Sequence, residues 1–333
     1  MTWGGKIVKE LKVGIISFAH GHGFSYANAL EEIENVVIAG VADDDSERGR
    51  KAATQYGTTF YGTYEKLLAQ DIDAVVITSE NAHHHEQVLA AAQAKKHILC
   101  EKPLATTVED AWEMIRACEE NRVKLQTAFP VRFHASIAQA KQQIEAGKIG
   151  RILAIKGTNR GRNPGGWFVD PVLSGGGAVM DHTVHLLDIM RWFMGAEVKE
   201  VFAEAGQLFS DVPIDDAGIV TLEFTNGVFA TIDCSWSKSA FYPKGGDITL
   251  EIVGTDGILQ VDAYKQNIQV YSEKMGVARN FWGENMNRGL IEDFIQCIRV
   301  EREPSISGLD GLKAVEIALA AYQSSATQQV IEL

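Results

Sequence analysis

The sequence predicts an α/β fold in which a doubly wound parallel sheet is followed by an α+β domain with an open, mostly antiparallel sheet. The chain has 333 residues, which exceeds what one hydrophobic core usually organises. In the first third, short apolar runs alternate with amphipathic stretches, whereas in the second half strand-like runs follow one another with turn signals between them. We therefore expect one domain over residues 1–128 and a second over 129–333, whose last helix could pack back on the first domain.

Strands alternate with helices throughout the first domain. β-Branched apolar runs such as Val36–Ala42 are typical of buried strands, and a capping box formed by Thr106 and Glu109 marks a helix start. This alternation predicts a parallel sheet covered by helices. The expected strands are 12–16, 36–42, 74–78, 97–100 and 124–127, and the expected helices are 24–33, 46–56, 84–94 and 108–121.

The second half changes to a meander of short strands. Turn signals such as Asn226-Gly227 and Asp256-Gly257 separate the strand-like runs, which indicates antiparallel hairpins. A glycine-rich loop over 161–177 precedes a helix at 179–193. The other expected helices are 135–146, 286–300 and 309–327, and the expected strands are 151–158, 198–209, 217–224, 228–236, 247–253, 258–263 and 267–271.

The composition argues against several classes of protein. The formal net charge is -13, and an acidic surface repels nucleic acid and anionic lipid. The four cysteines are widely spaced, which argues against a disulfide scaffold or a zinc ribbon and fits a reducing cytosol. The sequence has neither a run of membrane-spanning length nor the apolar core of a signal peptide. We therefore expect a cytoplasmic protein without nucleic-acid or membrane partners.

The first strand leads into a degenerate phosphate-binding loop, S-F-A-H-G-H-G. A dinucleotide fold places G-x-G-x-x-G here, so that backbone amides and a helix N-terminus meet the pyrophosphate. The aligned positions are Ser17, Ala19 and His22. We expect Gly21 and Gly23 to supply the missing backbone freedom, although a plain glycine-loosened turn explains this segment equally well.

The second strand ends in V-A-D, which places Asp43 about twenty residues past the loop. A carboxylate at this position can accept hydrogen bonds from the ribose hydroxyls of NAD and repels the 2′-phosphate of NADP. Asp44 and Asp45 add to that repulsion. The pattern predicts NAD rather than NADP, and the alternative is a solvated acidic turn that caps the next helix.

Three downstream motifs carry a family resemblance: S-E-N-A-H-H-H-E, H-I-L-C-E-K-P-L, and S-G-G-G-A-V-M-D-H-T-V-H-L-L-D. Together with the closing G-L-D-G-L-K-A-V-E-I-A-L-A-A-Y, they resemble the glucose–fructose oxidoreductase/inositol dehydrogenase family, often written Gfo/Idh/MocA, over nearly the whole chain. The resemblance implies a Rossmann domain, an α/β domain with an open antiparallel sheet, and nicotinamide-dependent oxidation of a sugar or polyol hydroxyl. The sequence departs from the family pattern in the loop, at Ser79-Glu80 and at His182.

The resemblance implies that Lys102 of E-K-P, together with Asp181 and His185 of D-x-x-x-H, forms the reaction site. Oxidation of a secondary alcohol needs groups that take the hydroxyl proton and stabilise the developing alkoxide. A lysine ammonium can donate a hydrogen bond to the reacting oxygen, and burial together with a nearby nicotinamide cation lowers its proton affinity, which eases proton exchange. Asp181 and His185 are four residues apart on one helix face, so the carboxylate can orient the imidazole as a general base. A surface lysine and a helix-surface ion pair are the alternatives.

The predicted cofactor contacts extend beyond the loop and the second strand. Imidazoles at His20 and His22 can aid pyrophosphate binding or only cap the helix. Among the three consecutive histidines at 83–85, the family pattern favours His84 as the one in the cofactor pocket. The predicted cofactor-binding residues are Ser17, Ala19, Gly21, His22, Asp43, Ser79, Asn81, His84, Glu101 and Lys102.

The glycine-rich loop and its surroundings supply candidate substrate residues. Aromatic faces with polar neighbours suit a sugar, although loop tryptophans also anchor packing. Arg132 matches a family arginine at the domain junction, and we expect it to pair with a carboxylate that holds the domains together. Asp188 is a candidate support for His185. A metal site at Asp181, His182 and His185 lacks a further ligand, so we expect no metal. The candidate substrate residues are Arg160, Trp167, Asp170 and His182.

Three functions stay open from the sequence. The first is an NAD-linked sugar or polyol dehydrogenase, the second a redox-neutral NAD-assisted hydrolase or lyase, and the third a non-catalytic nicotinamide-sensing regulator. The intact Lys102, Asp181 and His185 argue against the third. The open sheet predicts a homodimer or homotetramer that assembles through its uncovered face.

Overall fold

The chain divides into two compact units, each described by itself. The first unit comprises the described part of Met1–Ala128 together with Asn287–Leu312, and the second comprises Phe129–Met286 and Lys313–Leu333. The sequence predicts a single boundary after residue 128, whereas in the structure residues 287–312 group with the first unit. The computed structural model describes residues 9–242, 245–265, 267–272, 276–281 and 285–333.

The first unit contains a six-stranded sheet whose strands all run parallel. Its successive elements are β1 (Leu11–Ile16), α1 (His22–Glu31), β2 (Val36–Ala42), α2 (Ser46–Gln55), β3 (Phe60–Gly62), α3 (Tyr64–Leu68), β4 (Ala74–Ile77), α4 (His84–Gln93), β5 (His97–Glu101), α5 (Val108–Asn121) and β6 (Leu125–Ala128). The strand order is β3-β2-β1-β4-β5-β6, which places the reversal of strand order at β1 and β4. Open α/β sheets bind ligands at this reversal, outside the carboxyl ends of the strands.

Two features of the first unit differ from the sequence prediction. The strand β3 and the helix α3 were not predicted, because elements of three and five residues are too short to show a period. The cap of α5 is Thr107, whose side chain accepts a hydrogen bond from the Asp110 amide at 3.1 Å. The predicted cap, Thr106, was therefore wrong by one residue.

The second unit is built around a seven-stranded mixed sheet. The elements after β6, including α9 of the first unit, are α6 (Ala135–Glu145), β7 (Ile152–Arg160), α7 (Pro171–Ser174), α8 (Ala178–Met194), β8 (Val198–Gly206), β9 (Ala217–Phe224), β10 (Phe229–Asp233), β11 (Asp247–Gly254), β12 (Ile258–Asp262), β13 (Asn267–Ser272), β14 (Gly276–Phe281), α9 (Met286–Arg299), α10 (Gly308–Thr327) and β15 (Ile331–Glu332).

The strands of this mixed sheet have the order β12-β11-β7-β10-β9-β8-β15. β7 and β10 pair in parallel, and the other neighbours pair antiparallel. The strands β13 and β14 form a separate pair, and β14 and β15 were not predicted.

The helix α8 packs closely on β7, in the middle of this sheet. A Cβ atom at Gly157 would lie 2.8 Å from Leu186 and 3.0 Å from Met190, so a glycine is needed for this approach. The opposite face of the sheet borders a cavity of about 740 Å³, with Lys156, Thr158 and other side chains of β7, β10, β11 and β12 in its wall. Among the described residues, no helix combines the length and the apolar character that crossing a membrane requires.

Candidate active site

The backbone turns sharply after β1 at Ser17, which has a φ of 68°, in the left-handed region that favours glycine. The Ser17 carbonyl accepts a hydrogen bond from the Thr78 hydroxyl at 2.6 Å, and the Ser17 hydroxyl accepts one from the Ala19 amide at 3.1 Å. These bonds hold a non-glycine residue in the turn that the first glycine of a dinucleotide fingerprint provides.

Gly21 and Gly23 do not supply the backbone freedom that the sequence analysis assigned to them. Gly21 has a φ of -59° at the start of α1, and a Cβ atom there would meet nothing within 4 Å. At Gly23, a Cβ atom would lie 2.7 Å from Oγ1 of Thr78. Gly23 therefore allows α1 to pack against the residue that follows β4, while Gly21 leaves open space beside the N-terminus of α1.

A cavity of about 240 Å³ lies at the carboxyl ends of β1, β2 and β4, where the strand order reverses. Ligands of open α/β sheets bind at this edge. The polar part of the wall is strongly acidic, which suits hydroxyl groups and opposes an additional phosphate. Its polar residues include Ser17, Asp43, Asp44, Glu65, Ser79, Glu80, His83 and Glu86.

Asp43 lies in this wall, and its carboxylate is already engaged. It accepts hydrogen bonds from the Phe18 amide at 2.8 Å and from the Arg48 guanidinium at 2.7 Å. Burial raises the pKa of Asp43, whereas the bonds from Arg48 and Phe18 lower it. Arg48 also pairs with Asp44 at 2.8 Å. The sequence analysis did not anticipate Arg48, which offsets part of the negative charge next to the cavity.

Ser79 and Asn81 follow β4 at the same edge of the sheet. The Ser79 hydroxyl donates to the Gln87 side-chain oxygen at 2.7 Å, and Ser79 lines the cavity. Asn81 is buried and begins a single 3-10 turn, Asn81–His83. The structure therefore brings Ser17, Asp43 and Ser79, three of the predicted cofactor residues, to one cavity.

The carboxylate of Glu101, in the E-K-P motif, is buried beside the loop histidines. Its Oε1 lies 2.7 Å from Nδ1 of His22 and accepts a bond from the Tyr26 hydroxyl at 2.6 Å. Burial would raise the pKa of Glu101, but the imidazoles of His20 and His22 hold it well below its usual range. At the start of α1, Nδ1 of His20 accepts a hydrogen bond from the His22 amide at 3.1 Å, and the His22 imidazole pairs with the Glu101 carboxylate.

Lys102 directly follows β5 and is only 3% exposed. The Lys102–Pro103 peptide bond is cis. His84 is fully buried and donates from Nδ1 to the Pro103 carbonyl at 3.0 Å, and burial lowers the pKa of its imidazole. His84 therefore supports the turn that carries Lys102. His83 lines the 240 Å³ cavity. The His84 ring does not line it, because its two nitrogens face the Pro103 and Ser79 backbone carbonyls.

In the second unit, the first turn of α8 carries Asp181, whose carboxylate meets two ring nitrogens. Its Oδ2 lies 3.2 Å from Nε2 of His182 and accepts a bond from Nε1 of Trp236, also at 3.2 Å. The sequence analysis paired Asp181 with His185, and that pairing stays a prediction. Adjacent helix residues do not normally face each other, so helix spacing gave no sign of the pair with His182.

The N-terminus of α8 is capped by two residues that the sequence analysis missed. The Gly177 amide donates to the Asp215 carboxylate and to the Tyr322 hydroxyl, both at 2.9 Å, and the Val179 amide donates to Asp215 at 2.8 Å. A Cβ atom at Gly176 would lie 2.5 Å from the Tyr322 hydroxyl oxygen. The backbone of the G-G-G element therefore approaches its neighbours closely, and the reason is this cap. Burial raises the pKa of Asp215.

His185 lies one turn further along α8, buried against the edge of the Phe129 ring at 6.0 Å between ring centres. Asp188 is fully buried and pairs with Arg132, which donates from Nε to the carboxylate at 2.9 Å and makes a second bond through its terminal nitrogen. The carboxylate partner expected for Arg132 is therefore Asp188, and both residues belong to the second unit. Asp188 forms an ion pair with Arg132, and its expected interaction with His185 stays a prediction.

The structure does not bring Arg160 to α8. Arg160 pairs with Asp247 at 2.7 Å in the wall of the large cavity, on the uncovered face of the sheet. Its neighbour Asn159 faces the other way and donates to the His182 carbonyl at 3.0 Å. Because side chains alternate along a strand, the two residues lie on opposite faces.

The loop before α8 holds the other candidate substrate residues. Asp170 caps α7 by accepting from the Val172 amide at 2.9 Å. Trp167 stacks on Phe168 with 3.8 Å between ring centres. Both observations give these side chains a local structural role, and their part in substrate binding stays a prediction.

Two clusters of described residues have ligand atoms within 4.8 Å of one another: His20, His22 and Glu101, and His85, Asp110 and Glu113. In the first cluster, Nδ1 of His22 and Oε1 of Glu101 are 2.7 Å apart. Two ligands of one tetrahedral zinc ion lie roughly 3.3 Å apart, since each is about 2 Å from the metal. The cluster is therefore arranged as a hydrogen bond, and the absence of a metal stays a prediction.

Comparison with known proteins identifies the family. Residues 11–129 match the model described as an oxidoreductase family with an NAD-binding Rossmann fold, and residues 137–260 match the GFO/IDH/MocA C-terminal domain. The chain belongs to the Gfo/Idh/MocA family of oxidoreductases. The family resemblance and the fold class predicted from the sequence are confirmed, and the first unit is an NAD-binding Rossmann domain.

Relatives within the Gfo/Idh/MocA family match almost end to end. The myo-inositol 2-dehydrogenase of Thermotoga maritima is 29% identical over 97% of this chain and 98% of its own length. The NADP-dependent D-xylose 1-dehydrogenase of Haloarcula marismortui is 30% identical over 88% of this chain and 85% of its own. A solved levoglucosan dehydrogenase in complex with NADH and L-sorbose is 25% identical, with a TM-score of 0.85 over 97% of this chain and 99% of that one.

Proposed function

We propose that this protein is an NAD-dependent dehydrogenase that transfers a hydride between nicotinamide and a secondary hydroxyl or ketone of a sugar or polyol. One observation carries the proposal: the buried Lys102 follows β5 at the carboxyl edge of the same sheet whose reversal point holds the 240 Å³ cavity. The relatives support the substrate class, because those described above are named for a polyol and for sugars.

The residues of the first unit fit a dinucleotide. A Cβ atom at Gly21 would meet nothing within 4 Å, which leaves room for an anion beside the start of α1, and the His22 imidazole belongs to the first turn of that helix. Asp43 and Ser79 line the cavity, where they would hold the adenosine ribose. When bound, the nicotinamide accepts or supplies the hydride, and the protein handles the proton.

The proton of the substrate hydroxyl requires a group of the chain. We propose that Lys102 donates a hydrogen bond to the reacting oxygen and that His185 takes the proton when the C–H bond gives up its hydride. The alcohol thereby becomes a ketone, with one hydride and one proton removed. Asp181 binds a substrate hydroxyl as a carboxylate, which is the form that two N–H donors favour.

The test is a panel of sugars and polyols screened with NAD and NADP, with NADH formation followed by absorbance and the products identified. We expect steady, stoichiometric NADH formation with at least one sugar or polyol. Product formed without net NADH would instead identify a redox-neutral hydrolase or lyase. If nothing is turned over while NAD binds, the regulator hypothesis replaces the dehydrogenase.

We further propose that NAD binds at least about tenfold more tightly than NADP, because acidic residues surround the cavity. Calorimetric titration with both cofactors measures the difference. Glu80→Gln removes one of these charges and should reduce the ratio between the affinities for NAD and NADP. Glu119→Gln, on the exposed surface of α5, should leave that ratio unchanged. Equal or tighter binding of NADP would refute the assignment.

A further inference from the structure

The ring of His182 meets a hydrogen-bond acceptor at each of its nitrogens. Nδ1 lies 3.1 Å from the Cys234 carbonyl oxygen, and Nε2 lies 3.2 Å from Oδ2 of Asp181. A carbonyl oxygen only accepts, so Nδ1 carries a proton. Oδ2 of Asp181 also accepts from Nε1 of Trp236, and two donors on one oxygen favour the ionised carboxylate. The arrangement is therefore an imidazolium that donates to a carboxylate.

The position of this ring is fixed from several sides. The His182 backbone carbonyl accepts a bond from Asn159, which belongs to β7. Gly161 lies so close that a Cβ atom there would be 2.6 Å from Cε1 of the imidazole. The Trp236 ring stands edge-on to it at 6.4 Å between ring centres. The side chain therefore has little freedom to leave Asp181.

The other ionisable groups near this ring that the structure describes include Cys234, Asp215 and His185. Burial raises the pKa of the Cys234 thiol to about 12, so it stays neutral. Asp215 is committed to the backbone amides of Gly177 and Val179. His185 is one turn along the same helix, and Asn159 and Gly161 of the β7 side carry no charge. Asp181 is thus the anion that pairs directly with the His182 ring.

We propose that His182 is a positioning residue that, as an imidazolium, holds the Asp181 carboxylate ionised and oriented for a substrate hydroxyl. Asp181 then serves as a fixed acceptor that recognises a hydroxyl, while His185 works as the base without needing that carboxylate. This inference rests on the proposed dehydrogenase function. It makes the residue after Asp181 a determinant of how a polyol is held.

Two amide substitutions separate this role from a purely structural one. His182→Gln places an N–H donor near the position of Nε2, towards Asp181, whereas His182→Asn places one near the position of Nδ1, towards Cys234. We expect kcat/KM to fall by less than about threefold in H182Q and by about tenfold or more in H182N, with most of the loss in KM. A structural role through the Cys234 carbonyl predicts the reverse order, and that result would overturn the proposal.

Gly161→Ala displaces the ring without changing any ionisable group. The new Cβ atom would overlap the imidazole, so G161A should show a loss of kcat/KM like that of H182N. Gly206→Ala is the matched control, because a Cβ atom there meets nothing within 4 Å. Normal kinetics in a folded G161A protein would contradict the proposal.

A measurement that needs neither substrate nor cofactor tests the His182–Asp181 pair separately from the proposed function. In protein with isotope-labelled histidine, NMR follows the protonation of the His182 ring, whose signal is assigned by its loss in H182Q. The wild-type ring should keep its second proton to a pH about one unit higher than the ring in Asp181→Asn, since an opposite charge favours the charged form. Loss of that proton at the same pH in both proteins would refute the pairing even if a dehydrogenase activity is found. If no substrate is found, the dehydrogenase proposal fails, while this titration still decides the state of His182.

Discussion

Lys102 and His185 are the residues on which the proposed chemistry depends most directly. Lys102→Met keeps much of the side-chain length and removes the charge, so folding and NAD binding should largely survive. The rate of hydride transfer should fall by at least about 10²-fold, which is typical of losing a positioned proton-transfer group, and His185→Ala should behave similarly. Single-turnover rates measured with an active substrate, with thermal melts as the folding control, test both variants.

The double variant tells whether the two residues share one step. If Lys102 and His185 serve the same proton transfer, the combined loss should be far smaller than the product of the two single losses. Losses that multiply would indicate separate roles, such as proton transfer by one residue and substrate anchoring by the other. A folded single variant with near-normal hydride transfer would show that the site is assigned wrongly.

The Asp247 carboxylate should make the stability of the fold depend on pH in the acid range. Burial would raise the pKa of Asp247, but hydrogen bonds from Arg160, Lys238 and Thr158 hold it at about 2, against an ordinary value of 3.8. A carboxyl group whose pKa is lower in the folded state stabilises the fold above its ordinary pKa and loses that contribution as the pH falls. We therefore expect about 2 kcal/mol of stabilisation that is present above about pH 5 and lost towards pH 2.

Denaturant unfolding of the wild type and of Asp247→Asn measures this contribution. The gap in free energy of unfolding between the two proteins should shrink between about pH 5 and pH 2. Asp71→Asn is the control, because this side chain is 95% exposed and a surface pair contributes little. A gap that does not change with pH would mean that the carboxylate is not selectively stabilised in the fold.

The start of α1 packs closely at Gly23 but not at Gly21, and this difference should appear in the stability of the protein. Because a Cβ atom at Gly23 would lie 2.7 Å from Thr78, Gly23→Ala should destabilise the protein by about 1–3 kcal/mol, the usual cost of overpacking. Gly21→Ala places its Cβ atom in open space at a φ that any residue adopts, so its stability should be unchanged within about 0.5 kcal/mol. Equal melting temperatures for the two variants would contradict this difference.

The cap of α8 shows what sequence spacing misses at the scale of elements. The G-G-G pattern before α8 predicted a glycine-rich loop that leads into a helix. It did not identify Asp215 and Tyr322, which lie 38 and 145 positions from Gly177 along the chain. Which loop and which distant helix reach a helix N-terminus is decided by strand order and packing, and no local pattern records either.

The uncovered face of the seven-stranded sheet bears on the assembly of the whole molecule. Ile219 on β9 is 48% exposed and Phe229 on β10 is 59% exposed, and the register of the two strands puts both on this face. We expect a homodimer or homotetramer in solution, because burying this apolar surface favours association. Light scattering after size exclusion measures the mass of the wild type and of Ile219→Glu combined with Phe229→Glu.

The double variant should shift towards the monomer without unfolding, since both side chains are largely exposed within one chain. Circular dichroism and thermal melts are the folding controls. A wild-type monomer at micromolar concentration, or an unchanged oligomer in the variant, would show that this face is not the interface.

The order of the long elements, the fold class, the family and the identity of the motif residues could all be predicted from the amino-acid sequence. These follow from local information: apolar periods of two and 3.6, turn residues, and motifs that lie within short stretches of chain. Short elements such as β3 and α3 were not predicted, because three to five residues are too few to show a hydrophobic period.

The pairing of the polar side chains could not be predicted from the sequence, because it depends on which residues the fold brings together. Arg48 on Asp43, His22 on Glu101 and His182 on Asp181 are pairs that the sequence analysis did not anticipate. The physical reason is that a buried charge is stabilised by whichever partner the fold brings within hydrogen-bond reach. The sequence shows which charged residues are present, whereas the fold determines which of them pair with each other.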